Sequence, residues 1–234
     1  MKTVPKAGSG WAFLFSWVTL QIIIGILYLL LAENHPNVSA WSDSPQAYLL
    51  GVILGLGSGL FLLLVFLRPK SIADLFDLIS LRFCVKEIQI QWVLWGAVVA
   101  VIVILLLPIT PMKGGVLYCV IERGRREQTM FYVTTAHLIA AFLEEPIVRG
   151  FLYKAFRESY GRVVAITIVS MLSILTQFST LAGSLVVGTI SVLGMCILLC
   201  WCFEKTRNLA NCILCHLTYN VCLFTYDWLR AENP

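Results

Sequence analysis

Residues 46–67 read QAYLLGVILGLGSGLFLLLVFL, a run of 22 residues that carries no charge. A helix of about 20 apolar residues is long enough to cross the hydrocarbon core of a bilayer. Charged residues return directly after the run, at Arg68 and Lys70. The stretch therefore predicts a transmembrane helix that ends near residue 67.

The composition extends this prediction to the whole chain. Hydrophobic residues make up 59% of the 234 residues and charged residues 13%, whereas charged residues make up about 25% of an ordinary soluble domain. The mean hydropathy is +0.86. At about 20 residues a span, the length allows about seven spans and leaves little for a soluble domain. We predict one all-α, polytopic membrane domain.

Hydropathy windows of about 19 residues locate the spans. They predict spans at 11–32, 46–67, 89–109, 129–149, 163–180, 183–203 and 209–229. Amphipathic spacing predicts interfacial helices at 71–82 and 151–162. A cytoplasmic N-terminus would place twelve Lys and Arg residues on the cytoplasmic side and five on the other. This excess favours that orientation, and we expect a protein of the cell membrane.

Several functions are not indicated. The basic residues lie between the apolar segments without interleaved aromatic residues, so we expect no nucleic-acid partner. The run from Cys212 to His216 matches the C-x-x-C-H pattern of haem attachment, but it lies inside an apolar span. These residues also lack a second ligand pair with the spacing of a zinc site. We therefore expect neither a metal nor another cofactor.

Ionisable residues gather at the end of the fourth predicted span, where Glu144, Glu145 and Arg149 lie within two turns. Each ionisable residue inside a span costs about 2.5–3.5 kcal/mol on insertion scales and usually faces a cavity or a partner. Glu145 and Arg149 are four residues apart, a spacing that allows an ion pair. Glu144 is rotated by about 100° from Glu145 and would stay free. The alternative is a charge pair that anchors the helix end at the membrane surface.

The seventh predicted span carries a second polar pair, His216 and Asn220, four residues apart on one face. An imidazole and a carboxamide on one face suit hydrogen bonding to a developing oxyanion. A glutamate with a bound water suits general-base hydrolysis. The alternative is that both polar residues join helices to each other, as such residues often do inside membranes.

The ordered motifs Glu144-Glu145-x-x-x-Arg149-Gly150 and His216-x-x-x-Asn220 resemble the CPBP family. This family takes in type II CAAX prenyl endopeptidases and the bacteriocin-processing and self-immunity proteins of the Abi group. The resemblance covers residues 129–224, so we divide the chain into motif-free N-terminal spans at 1–110 and a family-like catalytic core at 111–234.

The resemblance implies intramembrane proteolysis by a glutamate-activated water, without a required metal. It assigns water activation to Glu144, supporting roles to Glu145 and Arg149, and an oxyanion hole to His216 and Asn220. A membrane-associated peptide or protein would be the substrate, and the lipid bilayer would surround the site.

One position departs from the family pattern. The family carries a Phe-x-x-x-His span between the two motifs, and this chain aligns Ser173 and Gln177 with those residues. The chain contains only His35, His137 and His216, so no histidine is available between the motifs. The amide of Gln177 can hold a water but cannot accept a proton at ordinary pH. His137, two turns before Glu144, either reaches the site or is a packed polar residue.

Three hypotheses follow from these residues. The first is a working intramembrane endopeptidase in which Glu144 is the base, with Gln177 beside it. The second is a catalytically impaired relative that binds or regulates a membrane partner. The third, from another class, is a transporter that uses Glu144, Glu145 and His216 as a proton path. That path would require ionisable residues to continue across the bilayer, and apart from His137 they do not.

Overall fold

A computed structural model of the chain describes residues 6–34, 44–82, 84–106, 126–176 and 185–232. Regular structure within these residues is helical. The α-helices are α1 (Ala7–Asn34), α2 (Pro45–Leu67), α3 (Ile72–Ile79), α4 (Ile90–Leu106), α5 (Arg126–Ile147), α6 (Lys154–Tyr160), α7 (Arg162–Thr176), α8 (Leu185–Thr206) and α9 (Leu209–Glu232). A 3-10 turn forms at Val85–Glu87, and a π-helical turn at Val148–Tyr153 joins α5 to α6.

Local sequence signals set the ends of α2. The Ser44 side chain accepts a hydrogen bond from the backbone N–H of Ala47 at 3.2 Å, and Pro45 occupies the first helical position, where its missing N–H costs nothing. At the other end, Arg68 adopts a left-handed conformation with φ 46°. Its N–H bonds to the carbonyl of Leu64, which closes the last turn.

Within the described residues, a helix lies in each of the seven stretches predicted to span the membrane. Among the described residues, four helical stretches are long and apolar enough to cross a bilayer: Ala7–Tyr28, Gln46–Leu67, Val187–Thr206 and Leu209–Tyr226. Two further apolar helices, Ile90–Leu106 and Arg162–Leu175, are shorter. The polytopic helical fold is confirmed, and the count of seven spans stays a prediction. The domain boundary near residue 110 lies outside the described residues.

Apolar side chains occur both inside the bundle and on its outer surface. Phe13, Phe151 and Phe203 are fully buried, whereas Phe61 is 63% exposed and Leu105 is 67% exposed. Water would disfavour so much exposed apolar surface, but lipid tails solvate it without cost. The outer surface of the bundle is therefore suited to a bilayer.

Helices α4 and α9 approach each other closely at Gly96. A Cβ atom at this position would overlap the carbonyl oxygen of Cys215 and would lie 3.1 Å from its carbonyl carbon. Ala100, one turn further along α4, is also completely buried. Small residues allow helix backbones to come this near, and here the contact lies one residue before His216.

Replacing Gly96 with alanine should destabilise the protein. The added Cβ meets backbone that cannot rotate away, so we expect the free energy of unfolding to fall by about 1–3 kcal/mol. Gly51→Ala in α2 is the matched control, because a Cβ there meets nothing within 4 Å. The control should leave stability unchanged or raise it by up to about 1 kcal/mol, since alanine is the better helix former. Denaturant titration in mixed micelles measures both variants, and equal stability of the two would contradict the prediction.

Candidate active site

The helix that carries the first motif does not end at Arg149. Pro146 lacks the N–H that would bond to the carbonyl of Phe142, and the π-helical turn Val148–Tyr153 begins two residues later. Such π turns often occur at functional sites. All six residues of this turn are buried. Arg149 therefore lies inside the bundle, which contradicts the alternative of an anchor at the helix end.

The residues after Arg149 also differ from expectation. The sequence predicted an interfacial helix at 151–162, but Phe151, Leu152 and Phe156 are almost completely buried. The exposed residues of this segment are 158–162, at the end of α6 and the start of α7. The segment is therefore packed inside the bundle over its first half and exposed over its last residues, so the prediction of an interfacial helix along its whole length is wrong.

Glu145 joins the two motifs. Its Oε1 atom accepts hydrogen bonds from Arg149 Nη1 at 3.1 Å and from His216 Nδ1 at 2.9 Å. The Glu145 side chain is 0% exposed, that of Arg149 1% and that of His216 12%. The ion pair expected from the four-residue spacing is present, and one carboxylate oxygen links α5 to α9.

Not every polar atom of this cluster has a partner. Arg149 Nη2 donates to Cys196 Sγ of α8 at 3.1 Å. Glu145 Oε2 and Arg149 Nε are buried and lack a hydrogen-bond partner among the described residues. An unpaired buried polar atom costs about 1–3 kcal/mol. Stability alone would not favour this arrangement.

Glu144 differs from Glu145 in its surroundings. It is partly exposed and makes no hydrogen bond within the described part of the chain. His216 and Arg149 both lie within electrostatic range of its carboxylate. One carboxylate is thus held by partners, and the adjacent one has no hydrogen-bond partner among the residues that the structure describes, as the rotation between the two residues predicted.

Asn220 lies one turn after His216 on α9. Its Nδ2 atom donates to the backbone carbonyl oxygen of His137 in α5 at 3.1 Å. The His137 ring lies near the rings of Tyr48 and Phe224, at centroid distances of 5.9 and 4.9 Å, and its Nδ1 bonds to the carbonyl of Val133. His137 is therefore a packed polar residue that does not extend to Glu144.

Gln177 lies outside the described residues, so its position relative to Glu144 stays a prediction. Ser173, aligned with the family phenylalanine, is 4% exposed on α7. The structure thus brings together four of the predicted site residues: Glu144, Glu145, Arg149 and His216. Asn220 follows on the same helix but bonds to the backbone of α5.

Three contacts were not found from the sequence. They are the Glu145–His216 hydrogen bond, the Arg149–Cys196 contact and the position of Tyr48 beside His137. All three cross between helices, and spacing along one helix carries no information on them.

The described helices and this cluster define a class: a helical integral membrane protein with a charged network between helices of its bundle. Residues 126–222 match the family model described as type II CAAX prenyl endopeptidase Rce1-like. The match begins with α5 and ends within α9, so it contains both motifs. The predicted resemblance to this endopeptidase family is confirmed over this segment. Neither a curated protein nor a solved structure matches the chain.

A double-mutant cycle tests whether Glu145 and Arg149 act as a buried pair. Arg149→Met leaves the Glu145 carboxylate buried without its cation, so we expect a loss of about 3–5 kcal/mol in the free energy of unfolding. Glu145→Gln should destabilise for the converse reason. The double variant should lose clearly less than the sum of the two single losses. Additive losses in mixed-micelle unfolding would contradict a direct interaction.

Proposed function

We propose that the chain is an intramembrane endopeptidase that hydrolyses a peptide bond in a membrane-associated peptide or protein. The observation that carries this proposal is the Glu144 carboxylate, which has no hydrogen-bond partner among the described residues and lies beside the Glu145–Arg149–His216 network. A general base must have a free oxygen that can take a proton. Glu144 meets this requirement, whereas the Oε1 atom of Glu145 already accepts two hydrogen bonds.

In the proposed reaction, Glu144 takes a proton from water while the water oxygen attacks the carbonyl carbon of the substrate. The carbonyl double bond opens to an oxyanion. Glu144 then returns the proton to the amine nitrogen, the C–N bond breaks, and a carboxylic acid and an amine leave. Each transfer uses a side chain of this protein or the water, and the proposal includes no metal and no cofactor.

The hydrogen bond between His216 and Glu145 supports the assignment of His216 to the oxyanion hole. An ionised carboxylate only accepts hydrogen bonds, so Nδ1 of His216 is assigned as the donor to Glu145. Nε2 has no hydrogen-bond partner within the described residues. It can donate to an oxyanion when the ring carries both protons. Glu145 and Arg149 then fix the ring, and Asn220 follows one turn away.

The membrane context completes the proposal. We place the protein in the cell membrane with its N-terminus in the cytoplasm, as the distribution of Lys and Arg favours. The substrate class is a membrane-associated peptide or protein, and the family match makes a prenylated C-terminal peptide the first substrate to test.

Glu144→Gln should remove the activity while leaving the fold intact. Gln cannot accept the proton, and general-base catalysis is worth about 10²- to 10⁴-fold in rate. Glu158→Gln on the exposed end of α6 is the matched control and should cleave at the wild-type rate. The assay uses purified protein in liposomes with a quenched fluorescent, farnesylated CAAX peptide and its unprenylated copy.

Two results would contradict the proposal. One is cleavage by Glu144→Gln at the wild-type rate. The other is cleavage of neither peptide by wild-type protein that is correctly inserted and folded. Cleavage of both peptides at similar rates would retain the endopeptidase and remove the prenyl group as a requirement.

A second candidate function is a catalytically impaired relative that binds or regulates a membrane partner. Its support is Gln177 in place of the family histidine, together with the engagement of His216 and Asn220 in bonds between helices. If the missing histidine limits the rate, Gln177→His should raise cleavage in the same assay. No increase would indicate that the site tolerates glutamine or that another residue aligns with the histidine.

A further inference from the structure

Two buried asparagines at the start of α9 bind the backbone of a distant segment. Asn208 accepts from the Arg82 N–H at 3.2 Å and donates to the Arg82 carbonyl at 3.0 Å. Asn211 accepts from the Gln89 N–H at 2.8 Å and donates to the Glu87 carbonyl at 3.1 Å. Both side chains are at most 2% exposed. Each carboxamide thus makes a donor and an acceptor bond to main chain.

Lys154 also binds this part of the chain. Its Nζ donates to the Leu78 carbonyl and to the Ser80 hydroxyl, each at 2.7 Å. Lys154 lies beyond the predicted end of the fourth span, and burial lowers its pKa to about 8. Burying an amine in this way is unfavourable, so these two bonds offset a cost.

We call residues 78–82 and 84–89 the strap. Lys154 follows Arg149 by five residues, and Asn211 precedes His216 by five residues. At about 1.5 Å per residue, both strap contacts lie within about 8 Å, along the helix axes, of the Glu145–Arg149–His216 network. The Leu209 N–H also bonds to the Ser80 carbonyl at 2.8 Å. The strap therefore connects the two motif-bearing helices next to the candidate active site.

We propose that the strap is a positioning element of this site, with Asn208 and Asn211 fixing α9 along its axis so that His216 meets Glu145. Contacts between apolar side chains are non-directional, so they define the axial position of a helix less sharply than hydrogen bonds do. Hydrogen bonds to a fixed backbone are directional and do not allow a shift of a few ångströms. The consequence for catalysis rests on the proposed function, whereas the position of His216 does not.

The backbone N–H of Gln89 provides a test on the strap that leaves α9 unchanged. Gln89→Pro removes the donor to Asn211, whereas Gln89→Ala keeps it and changes the side chain alone. Asn211→Leu removes this contact from the α9 side, together with the bond to the Glu87 carbonyl. With the farnesylated peptide, Gln89→Pro and Asn211→Leu should lower kcat by about 10- to 100-fold with little change in KM, as expected of misplacement by about 1 Å.

The second readout does not need activity. Full-length protein labelled with 15N-histidine in lipid nanodiscs carries three histidines, and His216→Gln assigns the signal of His216. In Gln89→Pro and Asn211→Leu, the Nδ1 resonance of His216 should move away from its wild-type position. In Gln89→Ala it should stay.

Leu14→Ala in α1 controls for lost stability, because Leu14 is buried far along the chain from the strap. It should lower the thermal midpoint without moving the His216 resonance. An unchanged His216 resonance in both Gln89→Pro and Asn211→Leu would overturn the proposal and leave the strap a purely stabilising element. If correctly folded wild-type protein cleaves neither peptide, the proposed function is contradicted. The His216 resonance would still decide the role of the strap.

Discussion

The candidate site depends on one carboxylate oxygen, Oε1 of Glu145, which accepts from both Arg149 and His216. Each of these groups is costly inside a membrane protein when it is alone. Together they form two hydrogen bonds to one oxygen, and in a water-poor interior such hydrogen bonds are strong. The shared acceptor holds α5 and α9 in one arrangement and leaves Glu144 as the adjacent carboxylate without a hydrogen-bond partner among the described residues.

This arrangement requires Arg149 inside the bundle, and the backbone provides it. Pro146 interrupts the regular pattern of hydrogen bonds, and the π-helical turn that follows rotates the next residues relative to a regular helix. Arg149 can then bond to Glu145 and also to Cys196 of α8. The helical segment continues through buried aromatic residues as far as Tyr160. The first motif therefore has packed helix both before and after it.

The N-terminal half of the chain also contacts the two helical segments that carry the candidate site. The family match begins at residue 126, yet Gly96 contacts the backbone beside His216 and the strap binds both motif-bearing helices. These contacts involve Gly96, two asparagines, Lys154 and mostly main-chain partners, and none of them forms a charged motif inside a predicted span. A search of the sequence for ionisable residues inside spans does not find these contacts. Most of them join a side chain to backbone groups of a segment that is distant in the chain.

The sequence by itself determined the helical membrane class, the places of the helices and the pair of Glu145 and Arg149. These follow from hydropathy and from the helical repeat, both of which are local. The tertiary structure decided that His216 bonds to Glu145, that His137 is a packing residue and that residues 151–153, 155 and 156 are buried. Those outcomes depend on the axial register and rotation of helices far apart in the chain, which no spacing within one helix specifies.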